Sequence, residues 1–135
     1  MKIKEVHIWQ DECIRKYGFY VHAVGADEFN RANYHTHGLY ESFQHPDLQI
    51  VISIDPNIAH DIFLSLAERI KKGEIFSPDV LYMKVIKNGA VKFVQATEGD
   101  ADSPRRKVLR VIFPDPQGNI DKEKVSGIYR DQYEN

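Results

Sequence analysis

Apolar positions along this chain recur with two periods, and the switches between them mark out the elements. Ile8, Trp9, Cys13 and Tyr17 fall at three- and four-residue steps, which predicts a helix over residues 6–17 with those side chains near one face. Gly18 stands where such a helix ends, because glycine tolerates the left-handed C-terminal conformation. Residues 19–24 are aromatic and β-branched and read as a strand. A turn at 25–28 follows, then a polar but extended stretch at 33–39. A loop at 40–46 leads into residues 48–54, an almost continuous apolar run that predicts a central strand buried on both faces.

The next signal is a helix start. Asp55 caps free amides and Pro56 fits a first turn that needs no donor. Ala59, Ile62, Phe63, Leu66 and Ile70 then form a stripe at helical spacing. Lys71 and Lys72 suit the negative helix end, and Gly73 terminates it. Residues 80–86 and 91–96 are β-rich and flank Lys87-Asn88-Gly89-Ala90, a hairpin signature. A polar loop at 98–104 precedes a last strand at 107–113, a turn at Pro114-Asp115-Pro116-Gln117-Gly118, and a charged tail from about 121 that suits a short helix or disorder. The expectation is an α+β fold with two principal helices and a mixed, largely antiparallel sheet of five or six strands. Barrel-like closure is one form that sheet can take. The strand–helix–strand passage at 48–86 admits one parallel pair.

Bulk properties narrow the class. At 135 residues the chain suits a single domain, 1–135, with enough core to fold without metal or disulfide staples. A net charge of −2 lacks the basic footprint of a dedicated nucleic-acid binder. The single cysteine, Cys13, cannot form an intrachain disulfide, so the fold needs no oxidising compartment. The charged N-terminal ten residues have no signal-peptide core, and no apolar run approaches the roughly 20 residues of a membrane span. A cytoplasmic location is expected.

Candidate chemistry concentrates in one segment. His35 and His37 are two apart, so on a strand both imidazoles point to one face. With His45 beyond a short loop they supply three ligands of the type a zinc-like divalent ion takes. Glu41 or Asp47 is the candidate base for a water at an open fourth position. Against this, His-x-His is a short motif that arises by chance, and His45-Pro46-Asp47 also serves simply to shape a turn. His7 and His22 have no recognisable ligand partner in the sequence. The serines lack a nucleophile elbow, and there is no glycine-rich phosphate loop.

The order Gly18-Phe19-Tyr20-Val21-His22, Thr36-His37-Gly38-Leu39, Phe43-Gln44-His45-Pro46-Asp47-Leu48 and Ile112-Phe113-Pro114-Asp115-Pro116-Gln117-Gly118 resembles the bacterial domain-of-unknown-function family 4262, over roughly residues 5–122. The resemblance implies an intracellular bacterial protein and carries no established activity or cofactor. Its pattern implies tyrosine at 35 and a small apolar residue at 37, so those two histidines depart from it. Gly38, His45 and Asp47 match and become the candidates for a shared site. A looser analogy, a Gly-Leu strand end followed by a Pro-acid-Leu strand and a helix, is with split-barrel flavin-binding folds; analogy at that level does not establish function.

Three functions remain open on these grounds. The favoured one is a non-catalytic binding or interaction module. Tyr34, Tyr40 and Phe43, with Gly38 and His45, would form a surface for a protein partner, a small molecule or a second copy in a homodimer. The others are a metal-dependent hydrolase using His35, His37 and His45, and a flavin- or nucleotide-binding split barrel.

Overall fold

The helical stripe at 59–70 organises the core. The structure, a computed structural model, describes residues 3–25, 31–99 and 105–134, with side chains from residue 8 onward. Helix α3 (Pro56–Lys71) starts where the sequence places it. The Asp55 side chain accepts from Asn57 N at 2.8 Å, and Pro56 occupies the first turn. Its buried face of Ala59, Ile62, Phe63, Leu66, Ala67 and Ile70 packs against one side of a sheet. Helix α1 (Ile3–Tyr17) ends at Gly18, whose φ is +88°.

The strands are β1 (Tyr20–Val24), β2 (Asn33–His37), β3 (Leu48–Ile50), β4 (Leu81–Tyr82), β5 (Val91–Glu98) and β6 (Arg106–Ile112), ordered β1-β2-β3-β6-β5-β4. All pairs are antiparallel except β3 with β6, where Leu48 lies opposite Leu109. Side chains alternate between the two faces. Tyr34, Leu48, Ile50, Phe93, Leu109 and Val111 join α3 in the core. Tyr20, His22, His35, His37, Gln49, Glu98 and Arg110 belong to the other face by the strand registers.

That second face is polar on β1–β3 and carries buried Ala96, Val108 and Ile112 beside Arg110 on β5 and β6, and its two regions are finished differently. Near Arg110 the chain end folds over it after α4 (Gly127–Asp131). Buried Gln132 donates to Phe113 O at 3.0 Å and accepts from Phe113 N at 2.7 Å, while Arg110 Nη1 donates to Gln132 O at 2.9 Å. On the β1 side His22 is exposed.

Several expectations need correction. The sheet is open, not barrel-like. The apolar run at 48–54 is strand only over Leu48–Ile50, although Val51 and Ile52 stay buried; burial kept the run apolar without requiring a ladder. The parallel pair that the passage at 48–86 admits is not made there, since β3 and β4 are not neighbours; the sheet's parallel pair joins β3 to β6. β4 covers only Leu81–Tyr82, and bends fill the stretch to Val91, so Asn88-Gly89 closes a long connection instead of a two-residue turn. The loop at 40–46 contains a short helix, α2 (Leu39–Phe43). Most of the turn at 25–28 and of the loop at 98–104 lies outside the described residues.

Candidate functional site

Strand register builds the site. His22 lies directly opposite His35 across the β1–β2 pair, and Tyr20 lies opposite His37. Since His35 and His37 share a face, three imidazoles converge at the β1 edge of the sheet. Their rings meet at 4.9–6.1 Å between centroids. One nitrogen from each lies within 4.8 Å of the other two. An ion centred in a triangle of that side would sit about 2.8 Å from each nitrogen, against about 2.0–2.1 Å for a zinc–imidazole bond, so shifts of about 0.7 Å close the shell.

The hydrogen-bond network fixes how His35 faces this cluster. Arg110 can only donate, and its Nε donates to Gln49 Oε1 at 2.8 Å. The Gln49 amide nitrogen must then donate to Asn33 Oδ1, 3.0 Å away. Asn33 Oδ1 is therefore an acceptor, and the 3.1 Å contact to His35 Nδ1 requires the proton on Nδ1. His35 is only 1% exposed. Burial first, together with His37, Arg106 and His22, pushes its pKa down to about 4 despite the neighbouring Glu98. The ring is neutral at pH 7 and its Nε2 carries a bare lone pair.

That lone pair faces Glu98 Oε1 at 3.5 Å. Burial alone would raise the Glu98 carboxyl, but the hydrogen bond from Arg106 leads the opposing effects and the pKa is lowered. Two acceptors thus confront each other, and the contact is no ion pair at neutral pH. Every buried polar side-chain atom among the described residues has a hydrogen-bond neighbour while ring nitrogens are free to donate or accept. The direction of the Arg110–Gln49–Asn33 chain removes that freedom from His35.

Arg106 ties the surroundings together. Its Nε donates to Glu98 Oε2 at 2.9 Å, its Nη1 meets Asp47 Oδ2 at 3.1 Å, and its Nη2 donates to Thr36 O at 2.6 Å, between the two β2 histidines. Asp47 Oδ1 accepts from Thr36 Oγ1 at 2.7 Å and Leu39 N at 3.0 Å, and Thr36 Oγ1 accepts from Leu48 N at 2.9 Å. Tyr20 stacks on His37 with centroids 5.0 Å apart and planes 19° from parallel. Burial raises its hydroxyl pKa, so it is a neutral donor.

The family described as Domain of unknown function (DUF4262) matches residues 13–121. The chain belongs to this family. Neither the curated proteins nor the solved structures contain a match to it. The three-histidine cluster of this DUF4262 domain lies inside the matched span, and so do Glu98 and Arg106.

The residues expected to share a site are only partly brought together. His35 and His37 converge, and His22, which the sequence reading left without a partner, completes the set. His45 is outside it. Its Nδ1 donates to Pro46 O at 2.9 Å and its Nε2 accepts from Phe76 N at 3.0 Å, so both ring nitrogens serve the fold. Asp47 is occupied by three donors as an anchor, while Glu41 is exposed on α2. Tyr34 lies in the core with its hydroxyl on Ile54 O. Gly38, at φ +110°, lies so close to Gly18 O that a Cβ would come within 2.8 Å of it. Phe43 packs beneath Gly18, and Tyr40 is 63% exposed. These residues lie about the β2–α2 corner of the DUF4262 domain.

His45 makes a pH test. Burial first lowers its pKa below 6.5, against the opposing effects of Pro46 O and Asp47. Between 6.5 and the lower folded value the unfolded chain binds more protons, so stability falls as pH falls. The urea midpoint should drop from pH 7.5 to pH 5. His45→Gln should be less stable at pH 7.5 and show a shallower drop; an equally steep drop in the variant would remove His45 as a source.

Proposed function

We propose that this domain holds one divalent transition-metal ion of the zinc type on His22, His35 and His37, as a metal-dependent site for hydrolytic chemistry. The observation that carries the reading is the convergence of the three imidazoles, one nitrogen of each within 4.8 Å of the other two, beside a His35 Nε2 that faces Glu98 Oε1 at 3.5 Å. A cation there turns two opposed acceptors into ligand and counter-charge. Neutral imidazoles suit first-row ions, and an outer partner on the far ring nitrogen, as Asn33 supplies on His35 Nδ1, is the usual support of a ligating histidine. Three protein ligands leave an open position at which such an ion lowers the pKa of bound water to about 7. Glu98, ionised and oriented by Arg106, is the group placed to take a proton.

The test is metal content after dialysis against zinc and removal of excess. About one ion per chain is expected, retained in His45→Ala if circular dichroism shows that variant folded. Wild-type protein that holds no zinc would overturn the reading.

A further inference from the structure

Helix α1 presents an apolar face that the described residues leave uncovered. Trp9 is 48% exposed, and Ile8 and Tyr17 are similar. Between this face, β1 and α3 lies a groove of about 490 Å³ lined by Trp9, Cys13, Tyr17, Phe19, Tyr20 and Leu64, among others. That volume falls in the range of small-molecule sites, which are mostly apolar with a few polar groups at one end.

Tyr20 links the groove to the histidine cluster. Trp9 meets Tyr20 at 5.9 Å between ring centroids, and Tyr20 meets His37 at 5.0 Å. Tyr20 is thus a wall shared by both. The charge at that end favours an anion. A divalent ion on three neutral imidazoles contributes +2, and Arg106, Asp47 and Glu98 beside it contribute +1, −1 and −1, which leaves a positive balance with an open coordination position.

We propose that the groove holds the hydrocarbon part of a small organic carboxylate whose head faces the three-histidine site past Tyr20. This rests on the metal reading above and names the class of molecule the site would take. Apolar walls hold the chain by area removed from water, and the ion and Arg106 attract the head.

Trp9 is the chain's only tryptophan, so its emission reports on the groove directly. Hexanoate, octanoate and decanoate would be titrated into the full chain, zinc-loaded and metal-stripped. A saturable change in Trp9 emission is expected, with affinity rising roughly three- to fourfold per methylene and about tenfold tighter with zinc. Octanamide should respond equally in both forms. Leu64→Glu should abolish the Trp9 response while keeping zinc content at wild-type level. No saturable response in zinc-loaded protein would overturn the groove assignment. Zinc uptake with equal carboxylate affinity in both forms would overturn the placement of the head. Absence of zinc uptake is read from metal content alone and sinks the metal reading, and the head placement with it. A Trp9 change on dilution without ligand, with a dimer by sedimentation, would give this face to a second copy and overturn the proposal.

Discussion

His35→Ala is expected to lower zinc affinity by at least about a hundredfold, because loss of even an outer partner of a metal ligand costs about 10–100-fold. His35 is the ligand whose orientation the structure determines most fully. Asn33 Oδ1 holds its Nδ1, Gln49 and Arg110 hold Asn33, and among the described residues Nε2 faces the Glu98 carboxylate. Zinc bound to the native state alone stabilises it by about 2.7 kcal/mol at a concentration one hundred times the dissociation constant. For a domain of this size that raises Tm by roughly 10 °C. Thermal melts with and without zinc are therefore compared within each variant. The alanine protein should melt lower than wild type without metal, since it loses a buried side chain and the bond to Asn33. At the same zinc concentration its increment should shrink to about 0.4 kcal/mol or less. His60→Ala, at an exposed position on α3, should keep the full increment. A wild-type protein with no increment, or a His35→Ala protein with an unchanged one, would sink the three-histidine site.

The sequence carries the fold class because the signals concerned are local. The α3 stripe, the Asp55-Pro56 start and the Gly73 end each act within a few residues, and the helix forms at Pro56–Lys71. The two long helices and six-stranded mixed sheet follow the expected pattern. Ladder partners are not local, which is why the spacing at 48–86 admitted a parallel pair without fixing its members. β3 pairs with β6, some sixty residues away, in preference to a strand just past α3. The site divides along the same line. His35 and His37 are legible because period-two spacing puts them on one face, whereas His22 becomes visible only once residues 19–24 are laid antiparallel on 33–37 in the register that sets 22 opposite 35. The sequence did contain that signal, two adjacent extended stretches joined by a short connection, but nothing in it gave the register. His45 misled because proximity in sequence stands in poorly for proximity in space. The chain turns at Pro46, and the His45 ring is held by Phe76 N from another part of the core.

Asp47→Ala is expected to destabilise the domain by about 3 kcal/mol, the lower end for removing one partner of a buried ion pair, since the Arg106 side chain is 28% exposed and keeps some solvation. The carboxylate is the common acceptor for Thr36 Oγ1, Leu39 N and Arg106 Nη1. Alanine leaves a buried hydroxyl and the Leu39 amide without it. Asp47→Asn keeps one oxygen for Thr36 and Leu39 but turns an amide nitrogen toward a guanidinium, so it should fall between alanine and wild type. Urea unfolding at pH 7.5 measures both. The outcome also bears on its role. A change within about 0.5 kcal/mol, the range of surface substitutions that break no buried contact, would sink the anchoring role. A loss of about 3 kcal/mol makes it the anchor through which Arg106 is held on Glu98 and on the Thr36 carbonyl. The site's geometry would then depend on a buried carboxylate that never touches the ion. Zinc affinity should fall in Asp47→Ala protein that is still folded, because Arg106 would no longer fix Glu98 opposite His35.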